Sequence, residues 1–567
     1  MSDVSGKSHL GEHRRRVLLG MVRMATGTML SRVAGFAIFV VVAYYYGVSR
    51  DADIFWMAFT IANLFRMVVA ERAIESAFLP TFKGFLARGQ TREAWRLVSS
   101  VFHLVLVGSV LLAVVLAAAA PWVVRGLAYQ FSAEEQALTT LMARLLMPLL
   151  VLYAVAAFLG ALLLAFGRFT WYGAAPALFG VGSVLGVIIL FPVLRPHGQQ
   201  IYALAVGALL GGLMQTVVQV PVIFTRSIRT QSQLEYEAVL DWKMPALRQV
   251  GWLLMPVLAS AGIEKAGTIV DRTLASGLEV GSIAALTYAF RLVAFPFALI
   301  GLALGRSVLP SLSEDAATNR FARFRLGSVL ALRYSFLLLI PATAVTVVVA
   351  EPLVVVLFRR GEFTPTAVRL TSLALWGYGI GLIPMAWVSN LSRSFHALRD
   401  TRTPLFAGGA GLVVNVALSV LLIRTPLRVG GLAVATSASM ALTAGLMLWW
   451  LERSLEQKGA HAATWLDIRW WGYALVAAGV CFGVMAVARW AVFSWLVEDD
   501  FWHSCIRLMV PSAAGGLLYG VVVLRLGLHR EPAGTASAEG APGDSERRPC
   551  GTVRAESRPG MPTGSRL

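Results

Sequence analysis

Charged side chains stand inside several of the apolar segments of this 567-residue chain. The cationic ones that matter most are Arg32, Arg66 and Arg291. A charge at the centre of a bilayer costs at least ~2.5–3.5 kcal/mol on insertion scales, so it should face a wet cavity or a partner. Guanidinium groups bind phosphate through paired hydrogen bonds. We therefore predict a cationic cavity that binds a phosphate-bearing, pyrophosphate-like group.

Helical geometry assigns faces to the polar residues of the second apolar segment. Asn63 and Arg66 share a face, whereas Glu71 points roughly 140° away from Arg66. Arg66 is therefore expected to face the cavity together with Asn63 rather than pair with Glu71 on its own helix. The alternative is that the arginines pair with Glu71, Asp271 or Glu264 on neighbouring helices and only lock the bundle together.

Four oxygen-bearing residues form a second constellation, namely Asp271, Asn415, Ser419 and Thr436. Oxygen ligands suit a hard cation, so the set predicts a Na⁺ site or a proton relay. Interhelical hydrogen bonding is the alternative, because Asn, Ser and Thr commonly serve it in bundles. Arg272 stands next to Asp271 near a span end, and this position favours a structural role for it.

Two loop carboxylates, Asp51 and Asp53, form the pattern D-x-D that glycosyltransferases use. They are predicted to lie in a very short loop between two apolar spans, where topology explains them better than catalysis.

The composition identifies the elements that hold these residues as membrane helices. The chain is 57% hydrophobic and 14% charged, with a mean hydropathy of +0.70. Its apolar blocks have the length that crosses a hydrocarbon core. We predict about fourteen spans, at 27–47, 53–79, 98–121, 138–165, 172–194, 201–225, 248–275, 283–309, 329–350, 367–391, 404–424, 427–451, 467–489 and 503–526.

The net charge of +18 follows the positive-inside pattern rather than a nucleic-acid footprint. Alternate loops are rich in Arg and Lys, as in 14–23, 83–96 and 320–325, while the intervening loops have few cations and hold acidic residues such as Glu279 and the run 498–500. The pattern predicts that both termini are cytoplasmic.

An internal repeat at an offset of about 230 residues divides the chain. Phe65-Arg66-Met67-Val68 recurs as Phe290-Arg291-Leu292-Val293, Leu79-Pro80 as Leu309-Pro310, and Ala165-Phe166-Gly167-Arg168 as Ala397-Leu398-Arg399-Asp400. The offset covers an even number of spans, so the copies share one orientation, as in parallel-repeat transporters. We predict an all-α fold made of a cytoplasmic segment (1–24), an N-lobe (25–228) and a C-lobe (229–453) of about six helices each, two extra helices (454–526) and a disordered tail (527–567).

Several motifs resemble the MurJ/MviN family of lipid II flippases. They are S-R-V-A-G-F at Ser31–Phe36, A-D-I-F-W-M-A-F…N-L-F-R…A-E at Ala52–Glu71, A-F-L-P at Ala77–Pro80, Y-A-F-R-L at Tyr288–Leu292, L-P-S-L-S at Leu309–Ser313, F-R-R-G-E-F-T at Phe358–Thr364, S-F-H-A-L-R-D-T-R-T-P at Ser394–Pro404, and G-G-L-A-V-A-T-S at Gly430–Ser437. These pieces occur in order and cover about residues 25–450.

The resemblance implies a fold of the multidrug/oligosaccharidyl-lipid/polysaccharide exporter superfamily and an alternating-access flippase in the bacterial inner membrane. Its substrate would be undecaprenyl-pyrophosphate-linked peptidoglycan precursor, for cell wall biosynthesis. The family's cavity residues carry over to Arg32, Arg66, Arg291 and Glu71, and its last two helices to a groove for the polyprenyl tail. No organic cofactor, enzymatic activity or nucleic acid is implied. Na⁺ or the membrane potential would drive transport, and the cell-wall synthesis machinery is a candidate partner.

This chain departs from the family pattern at two places. Members usually carry an Arg-Asp pair where Ile38 and Phe39 stand, and an acidic residue where Phe290 stands. The departures keep open a paralogue that handles another polyprenyl-linked oligosaccharide. Three further classes compete with a flippase: a MATE-like exporter of organic cations, a polyprenyl-dependent glycosyltransferase and a non-transporting scaffold. The exporter would need an acidic cavity, and the glycosyltransferase a large extracytoplasmic loop.

Overall fold

A computed structural model describes residues 27, 29–66, 73–223, 225, 266–459, 467–496 and 501–528. Within them the fold is all-α, as predicted, and it contains no strand. The first half of the chain holds α1 Met29–Tyr46, α2 Arg50–Arg66, α3 Ala73–Ala87, α4 Thr91–Leu127, α5 Ala133–Ala165, α6 Phe169–Leu194, α7 Ile201–Val217 and α8 Gln219–Ile223.

The second half begins with a helical stretch at 266–275, here α9. It continues with α10 Ser282–Pro296, α11 Leu302–Ala317, α12 Phe321–Val348, α13 Ala350–Phe358, α14 Pro365–Ile380, α15 Leu382–Ala397, α16 Arg402–Leu422, α17 Val429–Gln457, α18 Ile468–Trp495 and α19 Phe501–Arg525.

Eleven helices in the described ranges are long and apolar enough to cross a membrane. The pair α14 and α15 is bent by 45° and counts as a twelfth if it forms one span. These helices confirm a multi-pass membrane protein. The seventh predicted span lies largely outside the described residues, so the count of fourteen stays a prediction.

Local sequence signals set several helix ends and bends. The Ser132 hydroxyl accepts a hydrogen bond from the Glu135 amide, and the Glu135 carboxylate accepts one from the Ser132 amide, which is a capping box at the start of α5. Thr364 caps α14, whose first residue is Pro365. Between α10 and α11 a π-helical turn at Phe297–Gly301 follows Pro296, so one span consists of two helical pieces.

The turns repeat as the sequence does. Residues with positive φ occur in corresponding loops of the two lobes, as the pairs Gly89 and Asn319, Gly167 and Arg399, and Gly198 and Arg428. These pairs are separated by 230 or 232 residues, the spacing of the sequence repeat. The second lobe therefore bends its backbone at the same places as the first, but without glycine.

The apolar cores show where the lobes meet. One large cluster contains residues of both lobes, among them Phe39, Trp56 and Tyr288. Two smaller clusters belong to single lobes, one around Phe78 and Phe158 and the other around Phe324 and Phe395. The lobes thus share a core at the end that carries residues 44–53 and 277–284, which we call the outer end after the orientation predicted from charge. At the opposite, inner end their described cores are separate.

The last two helices, α18 and α19, form a hairpin that packs on α12. Their shared cluster includes Cys481, Met485 and Phe336. Buried Arg333 of α12 pairs with Asp467 at 3.3 Å and stacks on Trp470, and the Tyr519 hydroxyl donates to the Leu337 carbonyl. The hairpin is therefore attached to the C-lobe by polar as well as apolar contacts.

Candidate functional site

Arg291 lies where the two lobes face each other. Its guanidinium sits 4.2 Å from the ring centroid of Phe39 on α1. Phe39 in turn stacks on Trp56 of α2, with centroids 5.1 Å apart and the planes only 3° from parallel. Both rings are buried, whereas Arg291 is exposed. A C-lobe cation is thus positioned by an aromatic pair of the N-lobe through a cation–π contact.

Two further predicted cavity residues lie below this stack. Arg32 precedes Phe39 by seven residues and Asn63 follows Trp56 by seven, so each shares a helix face with its ring. Seven helical residues rise about 10 Å toward the inner end. Arg32 and Asn63 are both half-buried. Helix geometry therefore puts each of these two residues about two turns from the stack toward the inner end, and their assignment to the cavity stays a prediction.

The other two predicted cavity residues are Arg66 and Glu71. Arg66 ends α2, but its side chain lies outside the described residues, as does Glu71. Their cavity assignment stays a prediction.

A cation that the sequence pattern does not indicate lies near the bend of the α10–α11 span. A Cβ added to Gly305 of α11 would fall 1.5 Å from Nη1 of Arg393 and 2.5 Å from Oδ1 of Asn390, both on α15. Arg393 also donates to that Asn390 oxygen at 3.4 Å. The absence of a side chain at Gly305 is what lets this guanidinium cross the helix. Nothing in the one-dimensional pattern indicates such a contact.

Three of the four predicted cation-site residues are joined by hydrogen bonds. The Thr436 hydroxyl lies 2.9 Å from Oδ2 of Asp271, and Nδ2 of Asn415 donates to the Thr436 hydroxyl at 3.2 Å. The Ser419 hydroxyl also lies close to the Asp271 carboxylate. Residues far apart in the chain are therefore brought to one point between α9, α16 and α17.

The oxygens of this cluster have unused acceptor capacity. Oδ1 of Asp271, Oδ1 of Asn415 and the Ser419 hydroxyl are buried and make no hydrogen bond within the described part of the chain. Buried polar atoms normally have a partner. The described residues contain no group of three His, Cys, Asp or Glu side chains that could hold a metal. One carboxylate surrounded by neutral oxygens fits a monovalent hard cation better than a divalent one.

Asp53 connects the lobes at the outer end. Its carboxylate accepts the amide of Gly281 at 2.6 Å and that of Ala284 at 2.8 Å, and the residue is 2% exposed. Asp53 therefore caps α10 from another lobe, where a carboxylate also complements the helix dipole. The sequence predicts that Asp51 and Asp53 lie in a loop, but both lie in the first turn of α2. That prediction was wrong because α2 begins at Arg50.

Further contacts close the outer end. The Glu362 amide donates to the Tyr44 carbonyl at 2.9 Å, and Arg195 pairs with the Glu362 carboxylate at 2.9 Å. Glu279 pairs with both Arg369 and Arg428. This end carries more arginines than the positive-inside pattern predicts for it. Arg195, Arg369 and Arg428 are each paired with a carboxylate.

Two solved transporter structures have a similar fold. The fold matches a lipid II flippase MurJ structure in an inward closed conformation, with a TM-score of 0.69 and 20% identity over 90% of this chain and all of that one. It also matches an inward-facing MATE transporter of the MOP superfamily, with a TM-score of 0.64 and 14% identity over 78% of this chain. This chain therefore has the fold that these two transporters share.

Sequence comparison then identifies the family. The family model "Lipid II flippase MurJ" matches residues 42–499. A probable lipid II flippase MurJ of Vibrio cholerae is 30% identical over 91% of this chain and 97% of its own length. The lipid II flippase MurJ of Burkholderia cenocepacia is 30% identical over 70% of this chain and 74% of its own. The chain belongs to the MurJ family.

Proposed function

We propose that this protein is a flippase that carries lipid II from the inner to the outer leaflet of a bacterial inner membrane for peptidoglycan synthesis. Arg291 carries the proposal, because it is an exposed cation held between the lobes where a transported head group would pass. With Arg32 on the facing helix, it would bind the pyrophosphate through paired hydrogen bonds. No catalytic group is required, since flipping breaks no bond.

Phe39 bears on which head group is preferred. A carboxylate, usual in the family at this position, would cancel part of the charge of Arg291, whereas a ring holds the guanidinium without neutralising it. The cavity of this chain therefore favours a strongly anionic head group. That supports a polyprenyl pyrophosphate over the organic cations of a MATE-like exporter.

The polyprenyl tail would stay in lipid along the α18–α19 hairpin. The surface of α18 has a shallow apolar trough of about 450 Å³ lined by Val480, Gly483, Val484, Val487 and Ala488. An isoprenoid chain is apolar and needs no polar partner there. The trough lets the tail move beside the protein while the head group crosses inside it.

Coupling would use the Asp271 cluster. Na⁺ moving inward down its gradient through Asp271, Asn415, Ser419 and Thr436 would drive the return of the empty carrier, and the membrane potential would act in the same direction. Both termini would be cytoplasmic by the positive-inside rule. Cell-wall synthases that consume lipid II on the outer face are the natural recipients of the product.

The test is rescue of a bacterium depleted of its own lipid II flippase, with lipid II on the outer leaflet as the readout. The wild-type chain should restore exposure, and Arg291→Ala should abolish it at equal membrane levels. Arg369→Gln is the matched control, because Arg369 pairs with Glu279 in the loop just before α10 but lies outside the cavity. A different outcome is that the wild-type chain fails in this strain and rescues a mutant that lacks the exporter of another polyprenyl-linked glycan. That result would identify the chain as a paralogue for that other oligosaccharide.

A further inference from the structure

The Asp271 cluster lies near the contacts that close the outer end, and the side chain of Arg272 lies between them. Arg272 follows Asp271 in α9, and its Nη1 donates to the Ile283 carbonyl at 3.2 Å. Ile283 belongs to the first turn of α10. In the same turn the amides of Gly281 and Ala284 donate to the Asp53 carboxylate. Arg272 also interacts electrostatically with both Asp53 and Asp271.

We propose that Arg272 is the positioning residue that transmits occupancy of the cation site to the outer closure. The inference rests on the proposed Na⁺ site at Asp271. Without the ion, the negative charge of Asp271 attracts the guanidinium. A bound Na⁺ cancels that attraction, so Arg272 stays on the Ile283 carbonyl and near the Asp53 carboxylate. The bonds that this carboxylate accepts from the Gly281 and Ala284 amides join the two lobes.

The direction of the coupling follows from these charges. Attraction within a low-dielectric interior is strong, so a change in one partner redistributes the cation between two carboxylates. Na⁺ binding therefore favours the closed outer end, and Na⁺ release favours its opening. For an ion that enters from outside, this order returns the carrier to the state that loads substrate at the inner end. Two ligand sites linked in this way have a reciprocal coupling free energy.

The experiment measures closure and ion binding separately. The full chain, with Cys481, Cys505 and Cys550 replaced by Ala, is spin-labelled at Gln199→Cys and Thr366→Cys, exposed positions at the outer ends of the two lobes. Distances are recorded in lipid nanodiscs in Na⁺ and in choline, and Na⁺ binding is measured by equilibrium binding of radioactive Na⁺. The wild-type ratio of closed to open molecules should rise about tenfold in Na⁺, within the usual range for coupled sites.

Arg272→Gln should still bind Na⁺, while its closed-to-open ratio no longer responds to the ion. Arg272→Lys keeps the charge and should recover part of the response. Arg369→Gln is the matched control, since it also removes a cation that holds the 277–284 region but does not contact Asp271, and it should respond as the wild type does.

The failures are distinguishable. A wild-type chain that neither binds nor responds to Na⁺ would overturn the cation site and this inference with it. A Na⁺ response in Arg272→Gln equal to that of the wild type would overturn the transmission role alone. Loss of Na⁺ binding in Arg272→Gln would overturn it too, because Arg272 would then belong to the ion site itself.

Discussion

The helix pairs α6–α7 and α16–α17 occupy corresponding places in the two lobes but are packed differently. In the first lobe glycines bring the backbones together, and a Cβ on Gly186 would lie 2.4 Å from the Gly207 Cα. In the second lobe Asn415 and Thr436 face each other through a hydrogen bond. Asn415 stands 232 residues after Ser183, the offset that also relates Gly167 to Arg399.

This difference would let a symmetric fold bind the proposed Na⁺ through one lobe. Close backbone contact leaves no volume between α6 and α7, whereas the longer polar side chains of α16 and α17 supply oxygens to a buried point. On this proposal the first lobe would be the rigid half against which the second responds. Four substitutions test the contrast, from the largest effect to the smallest.

The largest effect is expected for Gly186→Val. Its side chain would have to occupy the space of the Gly207 backbone, which cannot move as a flexible side chain could. Overpacking costs typically 1–3 kcal/mol, and a backbone clash should reach at least about 3 kcal/mol. Thermal melting followed by size-exclusion fluorescence should show a large loss of stability. Gly445→Val on α17, where an added Cβ meets nothing within 4 Å, is the control. Equal melting of both variants would refute the close-packing argument.

The next effect concerns the link between the lobes, at Asp53→Asn. The neutral amide loses charge-assisted acceptance from two amides, and such bonds contribute about 1.5–3 kcal/mol. The outer end should therefore open, which is measured as a longer distance between labels at Gln199→Cys and Thr366→Cys. Asp51→Asn is the control, because Asp51 accepts from Gln200 within the same lobe. An unchanged distance in Asp53→Asn would show that the apolar contacts close this end without the cap.

Much of this architecture was predictable, since hydropathy marks each helix and the repeat fixes their orientation. Asp271 and Thr436 were also predictable as a pair, because polar residues inside apolar helices face the bundle interior and pair with one another. The role of Asp53 was not, because it caps a helix 228 residues away and no local pattern indicates that contact. Likewise Arg393 crosses α11 only because Gly305 lacks a side chain. Such pairings exist only once the chain has folded.

A smaller effect is expected for Asn415→Ala in the cation cluster. The change removes one neutral oxygen ligand and leaves Asp271 in place, so Na⁺ affinity should fall about tenfold, equivalent to about 1.4 kcal/mol. Equilibrium binding of radioactive Na⁺ to the purified chain measures it. Ser183→Ala makes the corresponding change in the first lobe and should leave Na⁺ affinity unaltered. A similar loss in both variants would mean that the two lobes do not differ in ion binding.

The smallest effect tests the turns that the lobes share, through Arg399→Gly. Arg399 has φ +60° where its counterpart Gly167 has φ +70°. A left-handed residue with a Cβ costs roughly 1–2 kcal/mol, partly offset by the greater freedom of glycine in the unfolded chain. The variant should gain about 0.5–1 kcal/mol in free energy of unfolding. Gly167→Ala should lose a similar amount, because a residue with a Cβ is strained at this φ. No clash adds to the loss, since the Cβ would meet only Phe169 at 3.8 Å, an ordinary contact. Opposite signs in thermal melting would establish that the two turns are conformationally equivalent and that only the first lobe has the residue suited to them. Destabilisation by both changes would instead mean that the Arg399 side chain stabilises its loop by more than its backbone conformation costs.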